Sequence, residues 1–356
     1  MIGLGGWGSA ALWRLAERGV AVLGIEQHGI GHDQGSSHGQ TRLFRVACKE
    51  HPGLVPIALK SLELWTGLGA ETGEVLVRQT GCLGTGSPDS PSVRGVLAAA
   101  AAAGVPVGKL SHDELVARQP QYAGLAPDDV AVWDPGAGIC YPERNVRAQV
   151  AAAERLGAEV LANTVVSGIE DGPDGVIVHT GTGELRAAQV VVTAGAALGT
   201  LMPDLPVTPR PTPVTWFRPK DLGSDEFTLD RFPAFIWSRP DGQGLWGHGS
   251  AEDYLIKVGI GRASSPENAV AELSAAVAKA LPGLDPQPVE VKPCIVTDSP
   301  DDQFLVGRLS ERIVVAGGDS GHGFKHSAGI GELLARIVTG EATYCQTDFL
   351  DPTRFS

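Results

Sequence analysis

Gly3-Leu4-Gly5-Gly6-Trp7-Gly8 stands at the head of the chain, followed by a helix-like stretch over Ser9 to Glu17, ending near Gly19, and by apolar Val20 to Ile25 running into Glu26. No other feature restricts the fold as much. A G-x-G-x-x-G that opens a helix uses its glycines for a tight turn, for close approach of backbone to a pyrophosphate, and for helix–strand packing. The N-terminus of that helix then presents its positive end to the phosphates. Glu26 falls about 20 residues on, where the fingerprint places an acid against a ribose hydroxyl. The expectation is a βαβ unit holding a dinucleotide, with Gly3, Gly5, Gly6, Gly8 and Glu26 as its contacts. Only Met1 and Ile2 precede the first glycine, where about five apolar residues should form the opening strand. A native start upstream of Met1 is therefore expected.

Beyond Glu26 the pattern alternates. Gly29 to Gln40 is a loop rich in Gly, Ser and His. Helices are expected over Leu54 to Trp65, Ser92 to Ala103 and Asn145 to Leu156, and Ser111 with Glu114 fits a capping box. Val160-Leu161, Val165 to Ile169, Val176 to His179 and Gln189 to Thr193 read as strands. After Pro206 prolines and aromatics cluster (Pro209, Pro211, Pro213, Trp216, Phe217, Phe232, Phe235, Trp237), the texture of a mostly antiparallel sheet. A helix from Pro266 to Leu281 is predicted, with Pro266 at its first position. Ile313 to Ala316 reads as a strand, and a closing helix over Ala328 to Val338 stops at Gly340.

Charge narrows the partners. The 356 residues carry a net charge of −13 and an isoelectric point of about 5.1, so a nucleic-acid partner is not expected, because phosphate neutralisation needs a basic face. A chain of this length exceeds what one core usually serves. The five cysteines are scattered without a C-x-x-C, which argues against a zinc site or a disulfide framework. His28 and His32 lie four apart, but in a Gly-rich loop rather than on a helix, so no metal site is expected. Gly35-Ser36-Ser37-His38-Gly39 matches a hydrolase serine motif in letters only, since no strand-to-helix elbow surrounds it. No apolar run reaches a membrane span and no secretory leader is visible; a cytoplasmic, membrane-independent protein is expected.

Near the other end, Lys292-Pro293-Cys294-Ile295-Val296 leads into Ser299-Pro300-Asp301-Asp302-Gln303-Phe304, and Ser320-Gly321-His322-Gly323-Phe324-Lys325 lies one strand further. These segments, the opening glycines and Ser37-His38-Gly39-Gln40-Thr41-Arg42-Leu43-Phe44-Arg45 occur in the order and spacing of a known family. The chain resembles the monomeric sarcosine oxidase and N-methyltryptophan oxidase group of FAD-dependent amine oxidoreductases, within the D-amino-acid-oxidase-like superfamily, over almost its whole length. The resemblance implies a mixed α/β (α+β) fold: a Rossmann-type FAD-binding domain (1–77, 138–207 and 297–356) interleaved with an antiparallel-sheet substrate domain (78–137 and 208–296).

It also implies roles. Cys294 occupies the position that bonds covalently to the flavin 8α-methyl group. Ser37, Thr41, Gly321, Gly323, Phe324 and Lys325 fall at cofactor-contacting positions, and His38 and Arg42 beside the reacting centre. Arg45 and Lys325 match the clamp on a substrate carboxylate, the first by a guanidinium fork and the second as a point charge. Lys257 matches the lysine that activates oxygen. Trp246, Val296 and Gly261 stand where the family has a tyrosine, a tyrosine and a histidine, Gln40 replaces a common aspartate, and Asp319 an apolar residue. The pocket is thus expected to be reshaped, which places sarcosine itself in doubt. The implied activity is oxidation of a secondary (N-methyl or cyclic) amino acid or related amine to an imine, with oxygen reduced to hydrogen peroxide, by a monomer. Other readings are a primary amino acid oxidase, an amine dehydrogenase with another electron acceptor, a nicotinamide-dependent dehydrogenase, and a non-catalytic flavin-binding relative. A nicotinamide site leaves Cys294 and the Ser320–Lys325 segment without a purpose.

Overall fold

Ile2 is the residue on which the nucleotide-binding side of the molecule closes. In the computed structural model, which describes residues 1–122, 124–252 and 254–355, Ile2 bridges in parallel to Val192 on one side and Ile25 on the other. It thereby joins a parallel pair, Leu23–Ile25 with Glu159–Leu161, to a triplet made of Val190–Val192, Ile313–Gly317 and an antiparallel edge, Leu305–Arg308. The opening strand of the βαβ unit is present as this single rung. The Val20-to-Ile25 expectation contracts to Leu23–Ile25, because the chain leaves the Gly19 turn only at Val22.

The opening helix, Gly6–Glu17, is almost wholly enclosed. It lies between the helices Pro142–Arg155 and Ser327–Thr339, and small residues set the approach. A Cβ on Gly331 would stand 2.5 Å from Ala10 Cβ. The exposed end of the packing is fastened by Glu332, which receives Arg14, Arg18 and Arg336. Burial works to raise the Glu332 carboxyl, but hydrogen bonds led by Arg18 and Arg14 hold it at about 2.

Segments 82–134 and 214–292 build a second body around an eight-stranded sheet. The sheet is antiparallel except where Ala234–Ser238 runs parallel to Cys82–Gly86. Its core gathers Tyr122, Phe232, Phe235 and Trp237 with the helix Ala269–Ala280. That helix does not begin at Pro266: Asn268 is the N-cap and the proline lies in the preceding turn. The Ser111 and Glu114 box forms as read from sequence, each group bonding back to the other, and Gly340 closes the last helix in the left-handed region at φ 73°.

Two small ladders connect the bodies. Arg42–Phe44 pairs with Gly138–Cys140, which also pairs with Val77–Arg78. Thr208–Pro211 pairs with Ile295–Asp298, setting Arg210 opposite Val296. These ladders carry Arg42 and Cys294 to the seam.

Candidate active site

A cavity of about 1320 Å³ follows the seam, larger than the usual range for one small ligand. One arm is lined by Gly3, Gly5, Gly6 and Glu26; the other by Arg45, Trp246, Gly261 and Lys325, with Arg42, Cys294 and Val296 between.

The glycine arm is a cradle that side chains would fill. A Cβ at Gly8 would stand 1.9 Å from Gly3 O and 2.4 Å from Thr193 Oγ1, and one at Gly6 would meet Ser327 Oγ at 2.7 Å. Gly3 itself has φ 84°, a conformation other residues rarely take. Thr193 Oγ1 donates to Gly3 O at 2.7 Å and ties the turn to the neighbouring strand. Ser37 Oγ accepts from the Gly6 N–H at 2.8 Å, at the helix N-terminus. Glu26 accepts from the N–H groups of Leu4 at 2.7 Å and His28 at 3.1 Å. His32 Nε2 lies 3.3 Å from the same carboxylate, and its ring lies 4.7 Å from that of His28. Thus the two histidines do meet, although among the described residues no set of three or more His, Cys, Asp or Glu forms a metal site.

The C-terminal segment joins this cradle. Trp7 Nε1 donates to Gly323 O at 3.1 Å, and a Cβ on Gly323 would stand 2.8 Å from Trp7. Asp319 is bonded by the N–H groups of Gly321 at 2.9 Å and Thr297 at 3.2 Å. Burial nevertheless raises its carboxyl to about 6.

At the centre, Cys294 is a buried free thiol, with Arg42 Nη2 4.0 Å from its sulfur. Burial pushes the thiol up, and the Arg42 guanidinium acts against that rise. Behind Arg42 the wall is polar and buried. Lys257 Nζ donates to Thr41 O and lies 5.4 Å from the Trp216 ring centroid. Thr41 Oγ1 pairs at 2.7 Å with His248 Nε2, whose Nδ1 faces Gly249 O at 2.7 Å. Burial first, and then the Arg42 charge, holds the Lys257 ammonium well below its ordinary value. His38 is 1% exposed, with the Pro293 backbone beside its ring. Burial, with the Arg42 and Lys257 cations, lowers it to about 4. His38 and Lys257, expected at the reacting centre, and Thr41, expected at the cofactor, are buried beside Arg42 and are not among the residues lining the cavity.

The cationic arm holds a residue the sequence reading missed. Glu50 stands between the two expected clamp groups, bonded to Arg45 Nη2 and 3.7 Å from Lys325 Nζ. Its position five residues after Arg45 was the only local sign. Burial works to raise the Glu50 carboxyl, but Arg45 and then Lys325 outweigh it and hold it well below the usual range. Lys325 is lowered by burial and raised by Glu50, settling at about 8. Both cations keep capacity: Arg45 Nη1 is buried with no partner among the described residues, and Lys325 gives one N–H to His322 O at 2.8 Å. Trp246, by contrast, is committed, stacking over Gly259 and donating Nε1 to Ile260 O at 3.1 Å.

A dinucleotide cradle, a thiol at the seam and a buried cationic arm sharing one cavity define a flavin-dependent oxidoreductase. The chain belongs to the FAD dependent oxidoreductase family, whose model matches residues 1–337. It is similar to a monomeric sarcosine oxidase of Streptomyces avermitilis, 32% identical over all of this chain and 97% of that protein. It is also similar to an N-methyl-L-tryptophan oxidase of Yersinia pestis, 32% identical over 94% of this chain and 93% of that protein. Among solved structures, the amino acid oxidase NikD in its open form matches with a TM-score of 0.83 at 24% identity, over 99% of this chain and 96% of that one. The L-proline dehydrogenase of P. horikoshii matches with a TM-score of 0.83 at 24% identity, over 99% and 96% of the two chains; both establish the fold. The residues fit FAD: the glycine cradle, with Ser37 bonded to it, and Glu26 would hold the nucleotide, and the cavity that continues from them has room for the rest. Among the described residues no helix is long and apolar enough to cross a membrane.

Proposed function

We propose that the protein oxidises a secondary amino acid or related amine to an imine and passes the electrons to oxygen as hydrogen peroxide, with segments 1–77, 138–207 and 297–356 as the FAD domain and the rest holding substrate. The observation that carries this reading is the pair Arg45 and Lys325. They come from opposite ends of the chain, are 6% and 3% exposed, and line the cavity that also holds Cys294. Buried cations in an acidic protein mark a place where a negative group is to bind.

The arm keeps one net positive charge after Glu50 is counted, enough to seat one carboxylate through Arg45 Nη1 and a free Lys325 N–H. Anchoring that group fixes the adjacent amine over the seam. Arg42 and Lys325 disfavour an ammonium there, so the amine is held neutral, the form that gives up a hydride equivalent. FAD bound at the cradle supplies the two-electron acceptor, and covalent attachment at Cys294 keeps it in place. Lys257 Nζ, whose affinity for a proton is lowered first by burial and then by the Arg42 charge, is set to answer negative charge as it gathers at the seam during oxygen reduction. The support for this reading is the 32% identity to the two oxidases over nearly the whole chain, together with Cys294, Arg45 and Lys325 lining one cavity.

The test is anaerobic mixing of flavin-loaded protein with a panel of N-methyl and cyclic amino acids, followed by air. Bleaching of the flavin absorbance and one peroxide per substrate are expected. Bleaching without peroxide would move the assignment to a dehydrogenase with another acceptor, and no bleaching by any amine would overturn it.

A further inference from the structure

The cavity extends past Trp246. It runs along the sheet to the N-terminus of the helix Pro91–Ala103, where Ser90, Ser92, Ser238 and Arg239 line it. Ser90 is the N-cap of that helix and has the extended backbone a cap requires, yet its hydroxyl makes no capping bond. Ser90 Oγ is instead buried with no partner among the described residues, on a residue 8% exposed. The capping bond comes from across the sheet. The Ser92 N–H donates to Ser238 Oγ at 3.2 Å, and Ser238 Oγ donates to Ser92 Oγ at 2.7 Å. The Ser92 hydroxyl, already accepting, is left with its proton to give.

Arg239 follows Ser238. Its side chain is 7% exposed, Nη2 donates to Asp241 Oδ2 at 2.5 Å, and Nη1 is buried without a partner. Gly86 makes the arrangement fit, since a Cβ there would stand 2.6 Å from Ser238 O and 2.7 Å from Ser90 Oγ. Buried polar groups in native proteins are almost always satisfied. Here three donors (the Ser90 and Ser92 hydroxyls and the second terminal nitrogen of Arg239) belong to residues that line one end of the cavity, at the positive end of a 13-residue helix. Asp241 holds only one edge of the guanidinium.

We propose that this end of the cavity is a distal subsite for a carboxylate of the substrate. Ser238 lies opposite Gly244, two residues before Trp246 on the next strand, or about 7 Å further along the sheet. Arg45 and Lys325 line the same cavity, so a substrate anchored there would present to this subsite a nitrogen substituent or side chain that ends in an acid. The substrate class is a dicarboxylic secondary amino acid: one carboxylate beside the amine, a second remote from it. This rests on the amine-oxidation reading for its chemistry, while the recognition of a second carboxylate is independent of it.

The experiment titrates the flavin-loaded protein with glutarate and, separately, with butyrate, which lacks the second acid, using calorimetry. Glutarate should bind at least tenfold more tightly, and the ratio should fall to near one in Arg239→Gln and decrease in Ser90→Ala, a milder change that guards against misfolding of the first variant. A wild-type ratio near one, or a ratio unmoved by Arg239→Gln, overturns the proposal. In parallel, N-methylglutamate and N-methylglutamine are offered anaerobically. Faster flavin bleaching by the acid, lost in Arg239→Gln, supports the subsite, and equal bleaching counts against it. Should no amine of the wider panel bleach the flavin either, amine oxidation is the reading that fails, and the glutarate-to-butyrate ratio still decides the subsite.

Discussion

Replacing Glu50 by Gln should turn carboxylate binding into a proton-consuming event. In the native arm Lys325 sits 3.7 Å from Glu50, a separation worth about 4 kcal/mol of attraction at an effective dielectric of about 20. One pKa unit corresponds to about 1.36 kcal/mol, so removal of the charge should drop Lys325 by about three units. Its native value of about 8 would become roughly 5 on that reckoning. At pH 7 native Lys325 is then about nine-tenths charged and the variant's almost wholly neutral. Adding a simple carboxylate such as propionate restores the missing negative charge and recharges the lysine. Titration calorimetry at pH 7, repeated in buffers of different ionisation enthalpy, should report uptake of about one proton per propionate bound in Glu50→Gln and about a tenth in the native protein. The free variant should also melt lower, since breaking a buried pair from one side costs about 3 kcal/mol or more, and propionate should recover much of that loss. Proton uptake below about a fifth in the variant, or an unchanged melting temperature, would refute the account of Glu50 as the internal counter-ion of the arm.

Affinity for propionate in the native protein should be steady below pH 8 and fall above it as Lys325, near 8, loses its charge. Folded Lys325 titrates below its ordinary 10.5, so the unfolded chain binds more protons between those values and stability should rise with pH there; a flat affinity profile from pH 7 to 9.5 would contradict the assignment. Acid precipitation should leave yellow in the native pellet and in the supernatant for Cys294→Ala; colour in both supernatants would remove the covalent link. Lys257→Met should slow flavin reoxidation by about 100-fold or more with substrate reduction changed far less, and stopped-flow traces slowed equally in both halves would deny its role with oxygen. Gly8→Ala would put a carbon 1.9 Å from Gly3 O, so the purified variant should be colourless; full flavin occupancy would disprove the tight cradle.

What the sequence disclosed was local. The Ser111 and Glu114 box, the Gly340 stop and the glycine turn are each set by a few neighbouring residues, and each formed as read. The helix predicted from Pro266 begins instead at Ala269, since a proline suits a turn before a helix as well as its first position. The site was legible through residues whose chemistry is unusual in context, such as Cys294, Lys257 and Arg45. Glu50 was not, because its pairing with Lys325 spans most of the chain and an acid beside a lysine in sequence looks like an ordinary surface pair. The donors at Ser90 and Arg239 were hidden for the same reason. They are brought together by the parallel register of Ala234–Ser238 on Cys82–Gly86, which no neighbouring residue announces.

The bond from Trp7 to Gly323 also sets an order of events during synthesis. Residues separated by nearly the full length of the chain must meet before the cradle has its second wall, and contacts of such long sequence separation form late and slowly. A growing chain carries its glycine turn within moments of starting, yet it can grip the flavin only after residue 325 has left the ribosome. Loading with cofactor thus waits on synthesis past Gly323, and copies that stop before it, lacking the second wall, should be colourless.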